Sequence, residues 1–387
     1  MNAPSSGDRP KVCLVSATPL TIHFFFRKFV VALSEWADVT LIFNECADTD
    51  VQPLDLPADV IALPIARQIS VFRDLVCLFK LFGIFRTRRF DLVITLVPKA
   101  GLLGSLAAKV GRVPRRLHIF QGEVWSSRTG ITRFILKASD RITAASSTAL
   151  LAVSSSQKRF LMDEKVVGGK GIKVLGQGSI SGVNTSLFQP VQDTRREWRS
   201  RFGIMEHEFL ILFLGRINRD KGVREIIDAG KWLLHDYSDV KIAFVGPDEE
   251  NLTHSIKVTF GEQMGTKVIC PGLSRTPHSW LNAADVLAMP SYREGFGLVA
   301  LEAAACGVPV VASRIHGLTD AVVDGVTGIL VPPRDTDALH KALKTLIAQP
   351  ETCVRLGREG RIRAKAEFEQ NVVVKKYVDF VSELLGR

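Results

Sequence analysis

The second half of the chain alternates fully apolar runs with segments that are apolar on one face only. Residues 209–215 (FLILFLG) form an uninterrupted apolar run ending in glycine, which is typical of a strand buried on both faces. Residues 222–234 follow, and their apolar positions recur at helical spacing, which predicts an amphipathic helix. A buried strand followed by an amphipathic helix is the repeating unit of a parallel α/β sheet.

This alternation continues towards the C-terminus. Further strands are predicted at 240–246, 267–271, 286–290, 308–312 and 328–331. Helices are predicted at 279–284, 298–306, 319–323, 336–349 and 371–385. The second half is therefore predicted to form a doubly wound, Rossmann-like domain.

The first half repeats the same order of elements. Strands are predicted at 11–16, 39–43, 92–96, 116–121 and 150–154. Helices are predicted at 24–33, 71–86 and 101–110, and another begins near Ser156. Two similar α/β halves predict two Rossmann-like domains, and 387 residues exceed what one ordinary hydrophobic core requires.

A polar stretch marks the predicted boundary between these domains. The segment NTSLFQPVQDT (184–194) contains Pro190, so we expect one domain at 1–190 and the other at 191–370. The last helix, within 371–387, is expected to pack back on the first domain. Ligands of doubly wound sheets bind at the carboxyl ends of the strands, so two such domains are expected to face a central cleft that holds the site.

Composition excludes several classes of protein. Six cysteines are scattered without a C-x-x-C pair, which argues against a disulfide framework or a zinc site and favours a reducing compartment. The polar N-terminus, MNAPSSGDRPK, lacks the pattern of a signal peptide, and no apolar run reaches the ~18 residues of a membrane span. We therefore expect a cytoplasmic location.

The net charge of +10 comes entirely from the first half. Residues 1–190 contain 24 Lys and Arg against 14 Asp and Glu, whereas residues 191–387 contain 26 of each kind. Such a field attracts anions, including an acidic membrane surface, a phosphorylated acceptor or nucleic acid. A solvated basic face without a specific partner explains the charge equally well.

The segment 290–307, PSYREGFGLVALEAAACG, is the strongest local signal for chemistry. Gly295 and Gly297 permit a tight turn, and the helix that follows directs its free N–H groups at the same place, which is a ready anion site. Glu302 follows Glu294 by eight residues, just over two helical turns, so both carboxylates can face one ligand. Carboxylates accept hydrogen bonds from sugar hydroxyls.

A second signal, GRINRDKG (215–222), directly follows a buried strand. Arg216 and Lys221 are predicted to lie at the carboxyl edge of the sheet, beside a helix N-terminus. Two fixed cations there can stabilise a diphosphate leaving group.

These two segments, with VGPDEEN (245–251), resemble the donor-binding domain of glycosyltransferase family 4, the retaining GT-B class. The E-x7-E pattern of that family is present as Glu294 and Glu302. The resemblance implies that Arg216 and Lys221 hold the diphosphate of a nucleotide sugar, for which a UDP-sugar is expected, that Glu302 binds the ribose and that Glu294 contacts the transferred sugar. It further implies contacts from the main chain, made at the sugar and phosphate by Gly295, Phe296, Gly297 and Leu298 and at the base by Leu273. No metal or other cofactor is required by the implied reaction, a retaining transfer of a hexose or N-acetylhexosamine.

The first half departs from this family at two places. The loop SATPLTIHFF (16–25), with Thr21 and His23, lacks the usual glycine pair, although His23 matches a histidine often found there. After the fourth strand, Gln121 and Gly122 replace a pair that often contains histidine, and Gln121 cannot accept a proton as a base. These four residues are expected on the acceptor side, whereas His118 is predicted to be a core residue.

Segments of the first half also resemble transferases that extend undecaprenyl-diphosphate-linked sugars. They are SLAAKVGRVPRRLHIFQGEVW (105–125) and RTGITRFILKASDR (128–141). This resemblance implies a lipid-linked saccharide acceptor and an enzyme peripheral to the cytoplasmic face of the inner membrane. The segments HFFFRKF (23–29) and 71–89 interleave apolar residues with cations, a pattern that suits an anionic membrane surface and equally a helix packed on the core.

Two D-x-D strings are not expected to bind metal. Asp48 and Asp50 lie in a polar loop, and Asp335 and Asp337 lie at a predicted helix start, where acids cap N–H groups. Other readings stay open: a soluble transferase with a small acceptor, a GT-B epimerase, or an inactive scaffold subunit. Nucleic-acid binding is not favoured, because no recognised module is present.

Overall fold

The structure is a computed structural model that describes residues 9–44, 55–65, 70–168 and 171–387. Asp48 and Asp50 lie outside the described residues. The chain divides into two compact units: unit 1 contains residues 1–181 and 371–387, and unit 2 contains residues 182–370.

Unit 1 is built on a seven-stranded parallel sheet in the order β3-β2-β1-β4-β5-β6-β7. Its strands are β1 Lys11–Val15, β2 Asp38–Phe43, β3 Asp59–Ala62, β4 Leu92–Leu96, β5 Arg115–Phe120, β6 Ala149–Ala152 and β7 Ile172–Val174. Its helices are α1 Pro19–Thr21, α2 Arg27–Ser34, α3 Val71–Arg88, α4 Pro98–Val110, α5 Gly130–Ser146 and α6 Ser155–Asp163.

Unit 2 is built on a six-stranded parallel sheet in the order β10-β9-β8-β11-β12-β13. Its strands are β8 Phe209–Leu214, β9 Val240–Val245, β10 Val268–Gly272, β11 Val286–Met289, β12 Val310–Ser313 and β13 Gly328–Val331. Its helices are α7 Gln192–Arg201, α8 Val223–Asp236, α9 Leu252–Phe260, α10 Pro277–Ala283, α11 Leu298–Ala305, α12 Leu318–Ala321, α13 Thr336–Ala348 and α14 Pro350–Phe368.

Strand residues form most of each core, because strands buried on both faces expose almost nothing to water. Val15, Ile42 and Val93 are buried in unit 1 against α3 and α4. Ile211 and Phe244 occupy the corresponding place in unit 2. The predicted class, two doubly wound α/β sheets, is confirmed.

Several elements differ from the predicted ones. The helix predicted at 24–33 starts earlier: Pro19 begins α1, and a π-helical turn, Ile22–Phe26, joins it to α2. Proline favours the first helical position because its fixed φ suits the helix and its missing N–H is not needed there.

Strands β3 and β7 and helices α5, α7, α9 and α14 have no counterpart among the predicted elements. β3 is an edge strand whose side chains are largely exposed, so it lacks a continuous apolar run. Arg199 is the one buried side chain of α7, and α14 buries small residues such as Gly357 and Gly360. Neither helix therefore shows the wide apolar stripe that identifies an amphipathic helix.

The contacts divide the chain after Ser181, whereas the composition placed the boundary at 190. Val183 donates its N–H to the Phe368 carbonyl, and the Gln370 N–H donates to the Val183 carbonyl. Phe188 contacts the His278 ring edge-on. Val183 and Phe188, on either side of the predicted start of the polar segment, thus contact unit 2.

The last helix, α15 (Gln370–Leu385), belongs to unit 1 from Asn371 onwards. Tyr377 is buried, its hydroxyl donates to the Ser179 carbonyl at 3.0 Å, and its ring contacts Phe29 edge-on. The end of the chain is therefore part of the first core.

Candidate active site

At the centre of the unit 2 sheet, two neighbouring strands connect to the next strands on opposite sides. β8 and β11 are neighbours, and β8 connects to β9 on one side while β11 connects to β12 on the other. Open α/β sheets bind ligands at the carboxyl ends of two such strands. Because GRINRDKG follows β8 and REGFG follows β11, the fold brings both sequence signals to this place.

The loop after β8 presents Arg216 to a carboxylate from the loop after β9. Arg216 Nη1 donates to Glu249 Oε1 and Oε2 at 3.1 and 3.0 Å, and Asn218 Nδ2 donates to Glu249 Oε2 at 2.8 Å. The Arg216 and Glu249 side chains are 50% and 40% exposed. An ion pair this exposed contributes little stability, so Arg216 can exchange its partner at small cost.

The loop after β8 also contacts the loop after β11 through an ion pair. Lys221 Nζ lies 2.5 Å from Glu294 Oε1, and both side chains are largely buried, at 19% and 11% exposure. Ser291 Oγ donates to the same Glu294 oxygen at 2.9 Å. A cation and a carboxylate from the two sequence signals are thus in direct contact.

Glycine permits the close approach of these loops. Gly222 has φ +70°, and a Cβ there would lie 2.0 Å from the Pro290 carbonyl oxygen. Gly297 has φ +82° and caps α11, and its Cβ would lie 2.4 Å from Leu318 Cδ2. Any larger residue would push the loop after β11 away from its neighbours.

The turn that starts α11 presents backbone rather than side chains. Phe296 is buried and its ring packs against Phe368, with 5.4 Å between ring centroids. Gly295 and Gly297 have no side chain, and Leu298 begins the helix, whose first N–H groups have no intrahelical acceptor. This turn can offer a ligand only main-chain groups.

Glu302 lies one helical turn inside α11, and Leu273 follows β10 at the same edge of the sheet. Burial raises the pKa of Glu302 from its ordinary value of 4.5 to about 8. Hydroxyl donors near this carboxyl would favour its charged form and lower its pKa again. The Leu273 side chain is 70% exposed, so Leu273 is not part of the hydrophobic core of unit 2.

The predicted acceptor-side residues lie on loops of unit 1 that share one edge of its sheet. Thr21 and His23 follow β1 in α1 and the π-helical turn, and Gln121 and Gly122 follow β5. All of them are at the carboxyl ends of parallel strands, where α/β sheets bind ligands. Buried Gln121 Nε2 has no hydrogen-bond acceptor among the described residues, so it can bond a ligand there.

His118, by contrast, is a core residue, as predicted. It is 2% exposed, and its Nδ1 lies 2.9 Å from Thr95 Oγ1. Burial lowers its pKa to about 3, so the ring is neutral at physiological pH.

The comparisons with known proteins show the family of this chain. The family model described as glycosyl transferases group 1 matches residues 194–363, which include Arg216, Lys221, Glu294 and Glu302. The capsular polysaccharide biosynthesis glycosyltransferase CapM of Staphylococcus aureus is 30% identical over 330 residues, which cover 84% of this chain and 86% of that protein. The chain belongs to the group 1 glycosyl transferases.

Two further similarities extend over nearly the whole glycosyltransferase chain. The UDP-Gal:alpha-D-GlcNAc-diphosphoundecaprenol alpha-1,3-galactosyltransferase of Escherichia coli is 26% identical over 351 residues, 88% of each chain. The sucrose-phosphate synthase structure from Thermosynechococcus elongatus has a TM-score of 0.81 at 22% identity and covers 98% of this chain and all of that one. The glycosyltransferase therefore has the GT-B fold.

Tyr292, Glu225 and Asp220 hold the loop after β11 and were missed by sequence reasoning. The Tyr292 hydroxyl donates to the Glu225 carboxylate, its N–H donates to the Asp220 carbonyl at 2.8 Å, and the Arg334 guanidinium lies over its ring at 4.7 Å. Glu249 was also missed as a contact of Arg216. The sequence offered one signal for these four residues. All of them lie just after a strand of this sheet, either in the loop or in the first turn of the next helix.

Within the described residues, no helix is long and apolar enough to cross a bilayer. The described part of the glycosyltransferase likewise contains no group of three or more His, Cys, Asp or Glu side chains that could hold a metal ion. Asp335, from the second D-x-D string, caps α13 by accepting the Ala338 N–H at 2.8 Å, as predicted.

Proposed function

We propose that this protein is a retaining, metal-independent hexosyltransferase that moves a sugar from a UDP-sugar to an undecaprenyl-diphosphate-linked saccharide in bacterial polysaccharide assembly. The names of two relatives support this choice, since one acts in capsular polysaccharide biosynthesis and the other uses UDP-Gal and a diphosphoundecaprenol acceptor. The Lys221–Glu294 ion pair, which joins the loops after β8 and β11, is the observation that carries the proposal.

The donor replaces existing contacts rather than meeting free charges. Its diphosphate takes Lys221 from Glu294 and Arg216 from Glu249, so each cation keeps an anionic partner throughout. Glu294 is then available to accept hydrogen bonds from hydroxyls of the transferred sugar. Donor binding thus exchanges one anionic partner of each cation for another.

The remaining contacts to the donor come from the surrounding backbone and from α11. Main-chain groups of Gly295, Phe296, Gly297 and Leu298 meet the sugar and phosphate, as the turn before α11 allows. Glu302 accepts bonds from the ribose hydroxyls, and the backbone of Leu273 meets the base.

Transfer then follows from stabilising the leaving diphosphate. The bond between the anomeric carbon and the phosphate oxygen breaks while Arg216 and Lys221 stabilise the developing charge. The acceptor hydroxyl forms the new bond on the same face of the sugar, and its proton passes to the departing phosphate oxygen. Two fixed cations supply the charge that a divalent metal would otherwise provide.

The acceptor is assigned to unit 1. Gln121, whose buried Nε2 has no partner among the described residues, donates to an acceptor hydroxyl, and Gly122, Thr21 and His23 line the same edge. The excess of positive charge in this half attracts the diphosphate of a lipid-linked acceptor and the anionic cytoplasmic face of the inner membrane.

The proposal is tested by incubating the full chain with radiolabelled UDP-sugars and a short-chain undecaprenyl-diphosphate saccharide analogue, with and without EDTA. We expect a product with retained anomeric configuration by NMR, formed equally well in EDTA. Donor epimerisation without an acceptor would instead identify an epimerase. A folded protein that neither transfers the sugar nor is stabilised by UDP would contradict the proposed function.

A further inference from the structure

Three neighbouring helices of unit 1 turn apolar faces towards solvent. Helix α4 packs between α3 and α5 on one face of the seven-stranded sheet. Helices on the surface of a globular protein normally bury their apolar stripe and expose charge. These helices bury one apolar face and expose another.

The exposed face of α3 is in its first half. Phe72 and Phe79 are 78% and 70% exposed, and Leu75 and Val76 lie between them on the same side. Cys77, Leu81 and Phe85 form the buried side of this helix. Burial against the sheet therefore does not account for the phenylalanines.

The exposed face of α5 has the spacing of a complete amphipathic stripe. Its members, which recur at three- and four-residue intervals, are Ile131, Phe134, Ile135, Ala138 and Ile142. Ile131 and Phe134 are 75% and 67% exposed. Between α3 and α5, half-buried Leu102 and Leu106 form the outer side of α4. An apolar surface thus extends across three helices.

The charges on these helices are almost all positive. Helices α3, α4 and α5 contain nine Lys and Arg but only two acidic residues, Asp74 and Asp140. Asp74 is paired with Lys99 at 2.7 Å, and Asp140 is buried and accepts from Trp125 Nε1. No carboxylate of these helices is therefore left to repel an anionic surface.

The position of this surface matches a membrane-bound acceptor. Because the strands are parallel, α3 and α5 both begin at the carboxyl edge of the sheet, the edge that also bears Thr21 and Gln121. Phe72, Phe79, Ile131 and Phe134 all lie in the first halves of their helices. A bilayer against them would present lipid headgroups to the acceptor-side loops.

We propose that the apolar faces of α3, α4 and α5 insert into the interface of an anionic bilayer and hold the carboxyl edge of unit 1 against it. Aromatic and aliphatic residues flanked by Lys and Arg are the composition of helices that lie in a membrane interface. The inference rests on the proposed lipid-linked acceptor for its purpose, but the surface itself is testable without any substrate.

The test measures partition of the full chain onto vesicles of 70% phosphatidylcholine and 30% phosphatidylglycerol by flotation. We expect Phe72→Ser/Phe79→Ser and Ile131→Ser/Phe134→Ser each to lower the partition coefficient at least tenfold. Val258→Ser/Val354→Ser, which changes two equally exposed apolar residues of unit 2, is the matched control and should bind as the wild type does.

Two further measurements separate this inference from others. The variants should keep the wild-type thermal midpoint, and should transfer sugar to a water-soluble acceptor analogue at the wild-type rate. Loss of that transfer would assign the residues to the reaction. Wild-type vesicle binding by both variants, or lipid-free dimers that the substitutions dissociate, would overturn the membrane assignment while leaving the proposed function intact.

Discussion

At the residue scale, both cations of the candidate site are paired with carboxylates. Arg216 contacts Glu249 and Lys221 contacts Glu294, across 33 and 73 residues of sequence. Residue types, their spacing and the family resemblance pointed to the cations and Glu294. Their pairing could not be predicted, since it depends on which loops the sheet order brings together.

Lys221→Ala should lower turnover at saturating donor by about 100-fold or more, the cost of removing one charged group that stabilises a leaving group. Steady-state transfer assays measure this. Arg219→Ala is the matched control, because Arg219 lies on the same turn but is 64% exposed and pairs with Glu250. Equal losses in both variants would remove Lys221 from the reaction.

Glu302 makes stability depend on pH. The pKa of Glu302 is about 8 in the folded protein and 4.5 ordinarily. Between these two pH values the folded protein keeps a proton that the unfolded chain releases. The free energy of unfolding therefore falls as pH rises through this range. The glutamine of Glu302→Gln cannot ionise. Between pH 5.5 and 8.5 the free energy of unfolding of this variant should therefore fall less than that of the wild type. The difference should be at least about 1.4 kcal/mol, which corresponds to one pKa unit. Urea unfolding at both pH values measures this, and parallel changes would refute it.

At the scale of elements, the loops at the carboxyl ends of β8, β11 and β12 depend on one another. The loop after β8 contacts Pro290, and the turn before α11 contacts Leu318. The sequence predicted most strands and most helices from their apolar pattern. It did not reveal that glycine is needed at 222 and 297 for loop contacts as well as for turn geometry.

Gly297→Ala should destabilise the protein by more than the ~1 kcal/mol that a left-handed backbone costs alanine. The excess comes from the new Cβ, which would lie 2.4 Å from Leu318 Cδ2. Gly265→Ala is the control, because Gly265 has a similar φ of +81° and open space around its Cβ position. Chemical denaturation of both variants gives the difference, and equal losses would show that packing contributes nothing.

At the scale of the whole molecule, the chain returns to its first unit and concentrates its positive charge there. Unit 1 is completed by residues 371–387, and its half of the sequence holds all the net charge. The charge could be counted directly from the sequence, whereas the return of the final helix to the first unit was only an expectation. Which residues anchor that helix became visible only in the structure.

Tyr377→Ala should destabilise unit 1 by about 3 kcal/mol, since a large buried aromatic side chain is removed and its cavity remains. Amide hydrogen exchange should rise in β1, β6 and α2 and stay unchanged in β8–β13. Val372→Ala, on the exposed side of the same helix, should change neither. Faster exchange confined to unit 2 would contradict this account of the final helix.

Arg86→Gln/Arg88→Gln/Arg89→Gln should weaken binding to anionic vesicles by less than the full ~1 kcal/mol per cation, because these arginines lie at the end of α3 that is away from the carboxyl edge of the sheet. Arg88 contributes least, because Asp59 already lies 3.6 Å from it. The loss should shrink as salt rises and screens the charges. Arg196→Gln/Lys344→Gln/Arg358→Gln in unit 2 is the control. If the unit 1 substitutions leave vesicle binding unchanged, Arg86, Arg88 and Arg89 make no electrostatic contribution to it.

The sequence by itself determined the fold class, the strands that support the site and the core position of His118, because buried strands and amphipathic helices have local patterns. It also predicted which charged residues lie at strand ends, where a ligand site is proposed. Tertiary structure alone decided that Lys221 contacts Glu294, that Tyr292 is held by Glu225 and that Phe72 and Phe134 face solvent. An apolar stripe shows that a helix has two faces, but only the packed fold decides which of them is covered.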